Sequence, residues 1–183
     1  MSVSLEITTV SLEKVDGRVG ITSCPGIRDR LAFRNKLKSD LLLDLDAIRD
    51  WGAAAVVTLL EKSEMSILGV EGLGGLVLSR NMRWFHLPIV DRSPPNKRFE
   101  ERWKVTGKIL RDILKGGQSV LVHCHAGLGR SGTIAARILI EHGVLPVAAI
   151  RKVRRQRLGA IETLEQEQYL LNLSGHFQPS ESI

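Results

Sequence analysis

Ser119-Val120-Leu121-Val122-His123-Cys124-His125-Ala126-Gly127-Leu128-Gly129-Arg130-Ser131-Gly132 is the stretch that decides how the rest of the chain is read. Its first five residues form a short apolar run after the breaker Gly116-Gly117, the pattern of a strand buried on both faces. A helix is expected over residues 131–142. Between strand and helix lies a glycine-rich turn in which five residues separate Cys124 from Arg130. Such a turn can aim successive backbone N–H groups inward, an anion-binding concavity backed by the positive end of the following helix. The amides of His125, Ala126, Gly127, Leu128 and Gly129 would line it, and glycine lets the backbone wrap closely round a ligand. Arg130 adds a planar fork of donors suited to two phosphate oxygens. The same field stabilises a thiolate at Cys124 by charge and hydrogen bonding, without an adjacent base. Ser131 is placed to hydrogen-bond that sulfur, and His123 to order the loop. The chemistry implied is in-line attack of a thiolate on phosphorus, with the developing charge met by the loop amides and Arg130.

Outward from this loop, the chain alternates between the periods of strands and helices. Strands are expected over residues 5–9 and 19–22, around Asp16-Gly17, then over 53–60 and 84–88. Ser39 or Asp40 is the expected cap of a helix carrying Leu41, Leu42, Leu45 and Ile48 and stopped at Gly52. Residues 65–78 are interrupted by glycine, and a short helix is assigned to their first half. Phe99, Trp103, Thr106, Leu110 and Leu114 recur at helical spacing up to Lys115, with acids early and bases late. Two more helices are expected over 146–157 and 161–174, followed by a polar, fraying tail after Gly175. The order of elements predicts an α/β fold, a single domain over 1–183 with a central, mainly parallel sheet flanked by helices.

Composition narrows the classes. The chain has 183 residues, 43% hydrophobic and 25% charged, ordinary values for a globular protein. No apolar run is long enough for a membrane span and no secretory leader opens the sequence, so a cytoplasmic location is expected. A formal charge of +6 favours anionic partners. Aromatic residues make up only 4%, too few for a base-stacking platform, so nucleic acid is not expected as a partner. Two cysteines, Cys24 and Cys124, cannot make a four-thiolate zinc site. Thiolate chemistry calls for no metal and no cofactor.

The loop resembles the signature of the protein tyrosine and dual-specificity phosphatase superfamily: His, Cys, five residues, Arg, then Ser or Thr. The resemblance runs over about residues 20–172 and is nearest to the kinase-associated phosphatase branch, also called cyclin-dependent kinase inhibitor 3. It is carried by Ser23-Cys24-Pro25-Gly26, by the helix–strand unit of residues 41–60, by Gly127-Leu128-Gly129-Arg130-Ser131 and by Gly159-Ala160-Ile161-x-Thr163. It implies a general acid on a loop upstream of the cysteine, and Asp91 lies 33 residues before Cys124 in the turn Asp91-Arg92-Ser93-Pro94-Pro95. Read by itself, Asp91 is equally a turn former before prolines. The resemblance also implies a late glutamine or hydroxyl that orients the second-step water, with Gln166 the first match and Thr163 the second. Glu162 stands where that family has glutamine, and the acid loop lacks the family's glycines.

The expected substrate is a phosphorylated protein, at phosphotyrosine and also at phosphoserine or phosphothreonine. Phosphoinositide phosphatases of the superfamily place lysines in the loop where this chain has His125 and Leu128, which argues against inositol headgroups. The alternatives are a phosphatase of a non-protein ester, a phosphate-binding module with little activity, or another cysteine-loop enzyme such as a sulfurtransferase or arsenate reductase. Arg151-Lys152-x-Arg154-Arg155-x-Arg157 reads mainly as a solvated helix end, with Arg154 and Arg155 the candidates for more. Cys24 reads as a small buried residue before Pro25 rather than a redox partner of Cys124.

Overall fold

The computed structural model describes residues 5–27 and 34–175. Five strands, β1 (Thr8–Ser11), β2 (Arg18–Thr22), β3 (Ala53–Thr58), β4 (Arg83–His86) and β5 (Ser119–His123), form one sheet in the order β1-β2-β5-β3-β4. All neighbouring pairs are parallel except β1 with β2. Seven helices accompany them: α1 (Arg34–Asp50), α2 (Lys62–Ile67), α3 (Leu73–Leu78), α4 (Lys97–Lys115), α5 (Gly129–Glu141), α6 (Pro146–Gln156) and α7 (Leu164–Leu171). The α/β class and the mainly parallel sheet are as the sequence predicts.

Strand β5 is central and wholly buried because the sheet carries an apolar layer on each face. Val120 and Val122 point to one face with Val19, Ile21, Ala55 and Val57, and there meet Leu110 and Leu114 of α4 and Ile134, Ile138 and Leu139 of α5. Leu121 and Val56 point to the other, against Leu41, Leu45 and Ile48 of α1 and Leu73 and Val77 of α3. The two-residue alternation within a run that looks uniformly apolar thus divides it between two cores. The layer under α4, α5 and α7 also holds Arg137, which pairs with Glu100 (2.6 Å) and Glu141 (2.9 Å) and lies 4.8 Å from the Trp103 ring centre.

Several expected boundaries move. The first strand is Thr8–Ser11 rather than residues 5–9, because Thr8 to Ser11 are the residues that pair with Ile21 to Arg18. Helix α1 is described from Arg34 to Asp50, so Ser39 and Asp40 lie inside it and do not cap it. Residues 62–78 make two short helices instead of one, divided where Gly69 takes φ +68°. The last helix starts at Leu164, not at 161. Thr163 and Gln166 form a capping box there, while Ile161 sits at φ +60°, a conformation a β-branched residue rarely adopts. That helix ends at Leu171 and continues as a 3-10 turn, Asn172–Gly175. The polar tail lies outside the described residues.

Candidate active site

The C-terminal ends of β2, β3 and β5 converge where the loop after His123 turns back into α5, the place where open parallel sheets build sites. The loop is shaped from outside. The amide of Leu59 donates to the His123 carbonyl (3.1 Å) and that of Cys24 to the His125 carbonyl (2.9 Å). Arg157 Nε donates to the Gly127 carbonyl (2.8 Å), Gly132 and Ile161 donate to that of Leu128, and Thr133 Oγ1 donates to that of Gly129. With its carbonyls drawn outward, the loop turns its N–H groups the other way. No acceptor among the described residues takes the amides of His125, Ala126, Gly127 or Leu128. Arg157 was not singled out in the sequence; of that basic cluster it and Arg154, which holds the Ala160 and Ile161 carbonyls, brace the site.

Gly127 has φ +72°, and a Cβ there would lie 2.5 Å from the Ser23 nitrogen and the Thr22 carbonyl carbon. Both neighbours are backbone and cannot yield cheaply. Gly127→Ala is therefore expected to destabilise the fold by about 2–4 kcal/mol. Vanadate affinity should fall with it, since the loop must shift. Denaturant titration and vanadate inhibition check both effects.

Cys124 is buried at the base of the loop, its Sγ 3.4 Å from Ser131 Oγ. His123, just before it, is fully buried and tied at both ring nitrogens. Trp84 Nε1–H donates to Thr58 Oγ1 (2.9 Å), leaving the threonine hydroxyl to donate to His123 Nε2 (2.8 Å). The ring then carries its proton on Nδ1, directed at the Cys124 carbonyl (3.3 Å). Burial pushes the His123 pKa down to about 4, so the ring is neutral and orders the loop. Its folded pKa is depressed below the unfolded value, so between pH 6.5 and about 4 the unfolded chain binds more protons. Stability should therefore fall as the pH drops through that window, by on the order of 3 kcal/mol from this residue. Urea midpoints measured against pH check this, with the slope reduced in His123→Asn.

Arg130 is 1% exposed and held in a way the sequence did not reveal. Its two terminal nitrogens hydrogen-bond both carboxylate oxygens of Glu64 (2.7 and 2.9 Å) and the Ile89 carbonyl (3.1 Å), and one of them is ion-paired with Asp91 Oδ1 (2.9 Å). Nε is buried with no partner among the described residues. Burial of Glu64 would raise its carboxyl pKa, but the bonds from Arg130 and the Glu61 amide outweigh it and hold the group below the usual carboxylate range. Glu64 thus fixes the guanidinium plane. The only hint of it in the sequence is the start of α2, where Glu61 and Glu64 form a capping box.

Asp91 is exposed, and its loop is fastened to the start of α7. Thr163 Oγ1 donates to the Arg92 carbonyl (3.2 Å) and Gln166 Nε2 to that of Ser93 (3.4 Å). Gln166 is fully buried, and its Oε1 accepts the amides of Glu162 and Thr163 (2.9 and 3.3 Å). Its amide is therefore engaged with backbone, and the backbone of Arg92 rather than its side chain joins the latch. The Glu162 carboxylate lies against Gly129, where a Cβ would come within 2.3 Å of Oε2. Cys24 is fully buried among the α1 contacts, and burial pushes its thiol pKa well up, with charge on Cys124 adding to the effect.

A buried cysteine beneath a cradle of free amides, an arginine fixed on its rim and a carboxyl on an overlying loop define a cysteine-dependent phosphatase. Residues 36–144 match the family model described as "Polymorphic toxin system, DSP-PTPase phosphatase". The chain belongs to this dual-specificity and tyrosine phosphatase family. It is 29% identical over 171 residues to cyclin-dependent kinase inhibitor 3 of Rattus norvegicus, covering 91% of this chain and 77% of that one. It is 31% identical over 136 residues to protein tyrosine phosphatase type IVA 3 of Mus musculus, covering 73% and 72%. The fold superposes on kinase-associated phosphatase with a TM-score of 0.80 at 24% identity, covering 97% of this chain and all of that chain. On Tk-PTP in its active form the TM-score is 0.68 at 28% identity, covering 93% and 98%.

Proposed function

We propose that this chain removes phosphate from phosphorylated protein side chains, phosphotyrosine foremost and phosphoserine or phosphothreonine as well, through a cysteinyl-phosphate intermediate. The observation that carries the reading is the loop with its carbonyls tied outward, its amides free and Cys124 at its base. The thiolate of Cys124 attacks phosphorus in line. The equatorial oxygens take the amides from His125 to Gly129 and the Arg130 guanidinium, whose Nε has no other partner among the described residues. Substrate oxygens replace the Asp91 carboxylate on Arg130; released from the guanidinium, Asp91 takes up a proton from solvent and gives it to the leaving oxygen as the P–O bond breaks.

In the second step water attacks phosphorus, Asp91 accepts its proton and the P–S bond breaks. The Ser131 hydroxyl donates to the departing sulfur. Gln166 and Thr163 serve both steps by holding the Asp91 loop over the cradle. A protein substrate is supported by the tyrosine phosphatase among the relatives and by the lack of lysine in the loop, which leaves little to read a multiply phosphorylated headgroup. Two free cysteines, one of them the nucleophile, fit a reducing compartment, the cytoplasm. No helix among the described residues is long and apolar enough to cross a membrane.

The test is hydrolysis of a panel in the presence of EDTA: p-nitrophenyl phosphate, phosphotyrosyl and phosphothreonyl peptides, phosphoinositides and an RNA 5′-triphosphate. Turnover of the first with preference for phosphopeptides is the expected result. A preference for phosphoinositides or the RNA would overturn the protein substrate while leaving the chemistry standing.

A further inference from the structure

Beyond the acid loop, the first turns of α4 border a pocket of about 100 Å³. Leu87, Pro88 and Val90 line one part of it, and Arg98 and Arg102, one helical turn apart, line another. Its volume admits a small charged group and excludes a large ring. Neither arginine makes an ion pair among the described residues, as is also true of Arg18, Arg83, Arg92, Arg151 and Arg155, but only these two share a pocket wall beside the acid loop. Like charges four residues apart on a helix repel, and an anion between them removes that cost. Glu61 is the one acid on the pocket wall, and its carboxylate already caps α2. Two arginines against one occupied acid leave the pocket cationic.

The pocket also shares its walls with the catalytic loop's supports. Val90 lies between Ile89, whose carbonyl takes Arg130, and Asp91, whose carboxylate takes the same guanidinium. Glu61 is the N-cap of the helix carrying Glu64. The pocket therefore borders the segment that faces the cradle.

We infer that Arg98 and Arg102 form a subsite for an anionic side chain of the substrate, a carboxylate or a second phosphate, beside the phosphoryl group that is cleaved. The inference rests on the protein-phosphatase reading above and adds the kind of sequence preferred. Exposed arginines contribute a modest preference, on the order of fivefold in kcat/KM, that shrinks with added salt.

Three sets of phosphotyrosyl peptides test it, with glutamate, phosphoserine or alanine in the flanking positions, and p-nitrophenyl phosphate serves as reference. The wild-type chain should favour the acidic peptides, and the preference should collapse toward unity in Arg98→Gln/Arg102→Gln while turnover of p-nitrophenyl phosphate moves far less. A preference confined to the phosphoserine set, and lost in the variant, supports the subsite and identifies phosphate as its ligand. Equal turnover of acidic and alanine peptides overturns the subsite, as does a preference that survives in the variant. So does an equal fall for every substrate, which would place the arginines' effect on the fold. Hydrolysis of p-nitrophenyl phosphate by the wild-type chain separates all of these results from a failure of the phosphatase chemistry itself.

Discussion

Cys124→Ser is expected to abolish hydrolysis of p-nitrophenyl phosphate, by at least about 10⁴-fold in kcat, while leaving the fold and vanadate binding in place. The size of the effect follows from the loop. Everything else in it stabilises an anion or a leaving group, and none of those groups forms a bond to phosphorus. A serine hydroxyl in the same place has no base to activate it, because His123 is turned away, with its ring nitrogens engaged by Thr58 and the Cys124 carbonyl. The substitution removes little volume from a site that is 3% exposed, so its thermal midpoint should stay near that of the parent. Stopped-flow assays of purified protein, with calorimetry as control, check both halves. Activity within tenfold of wild type would dismiss Cys124 as the nucleophile.

Asp91→Asn should have the second largest effect, and its pattern is more informative than its size. A general acid contributes about 10²- to 10⁴-fold when the leaving oxygen needs a proton. Phosphotyrosine and phosphothreonine need one, and p-nitrophenyl phosphate needs it much less. The variant should therefore lose most on alkyl esters, less on phosphotyrosine and least on p-nitrophenyl phosphate. The alkaline dependence of kcat/KM that comes from the acid should vanish as well. Asparagine also removes a negative charge from Arg130, to which Asp91 is paired at 2.9 Å, so binding of phosphate to the variant should tighten modestly. Tighter binding with slower turnover is a combination that a merely destabilised loop does not produce. A uniform loss across leaving groups would remove Asp91 from the reaction.

The catalytic loop was legible in the sequence because its chemistry is local. Strand, cysteine, glycines, arginine and helix are contiguous, and each residue type has one job that the backbone turn explains. The parallel sheet was legible for the same reason, since apolar runs alternated with helical spacing. Asp91 could be proposed because the resembled family carries an acid on a loop about this far upstream of the cysteine, but its contact with Arg130 could not. The Glu64–Arg130 pair joins residues 66 apart, and nothing in either neighbourhood announces the other. Arg157 was hidden among five bases, of which only it and Arg154 brace the site among the described residues. Ile161 shows a further limit. Its left-handed backbone contradicts what a β-branched residue prefers, and is sustained by bonds to Leu128 and Arg154 that only the tertiary structure supplies. Reading 161–163 as helix followed local preference, and the tertiary bonds prevailed.

The outward ties on the loop carry a consequence for how the molecule comes into being. They are supplied by Cys24, Leu59, Arg157 and Ile161, residues scattered over most of the described chain. A chain that reaches only to Arg130 holds the whole signature but lacks the ties from Arg157 and Ile161. The cradle closes only after the segment near Ile161 has emerged and docked, which makes it a late, long-range product of folding rather than a local turn. The shape of the cradle is thus shared among four distant segments, and loosening any one of them is expected to weaken it.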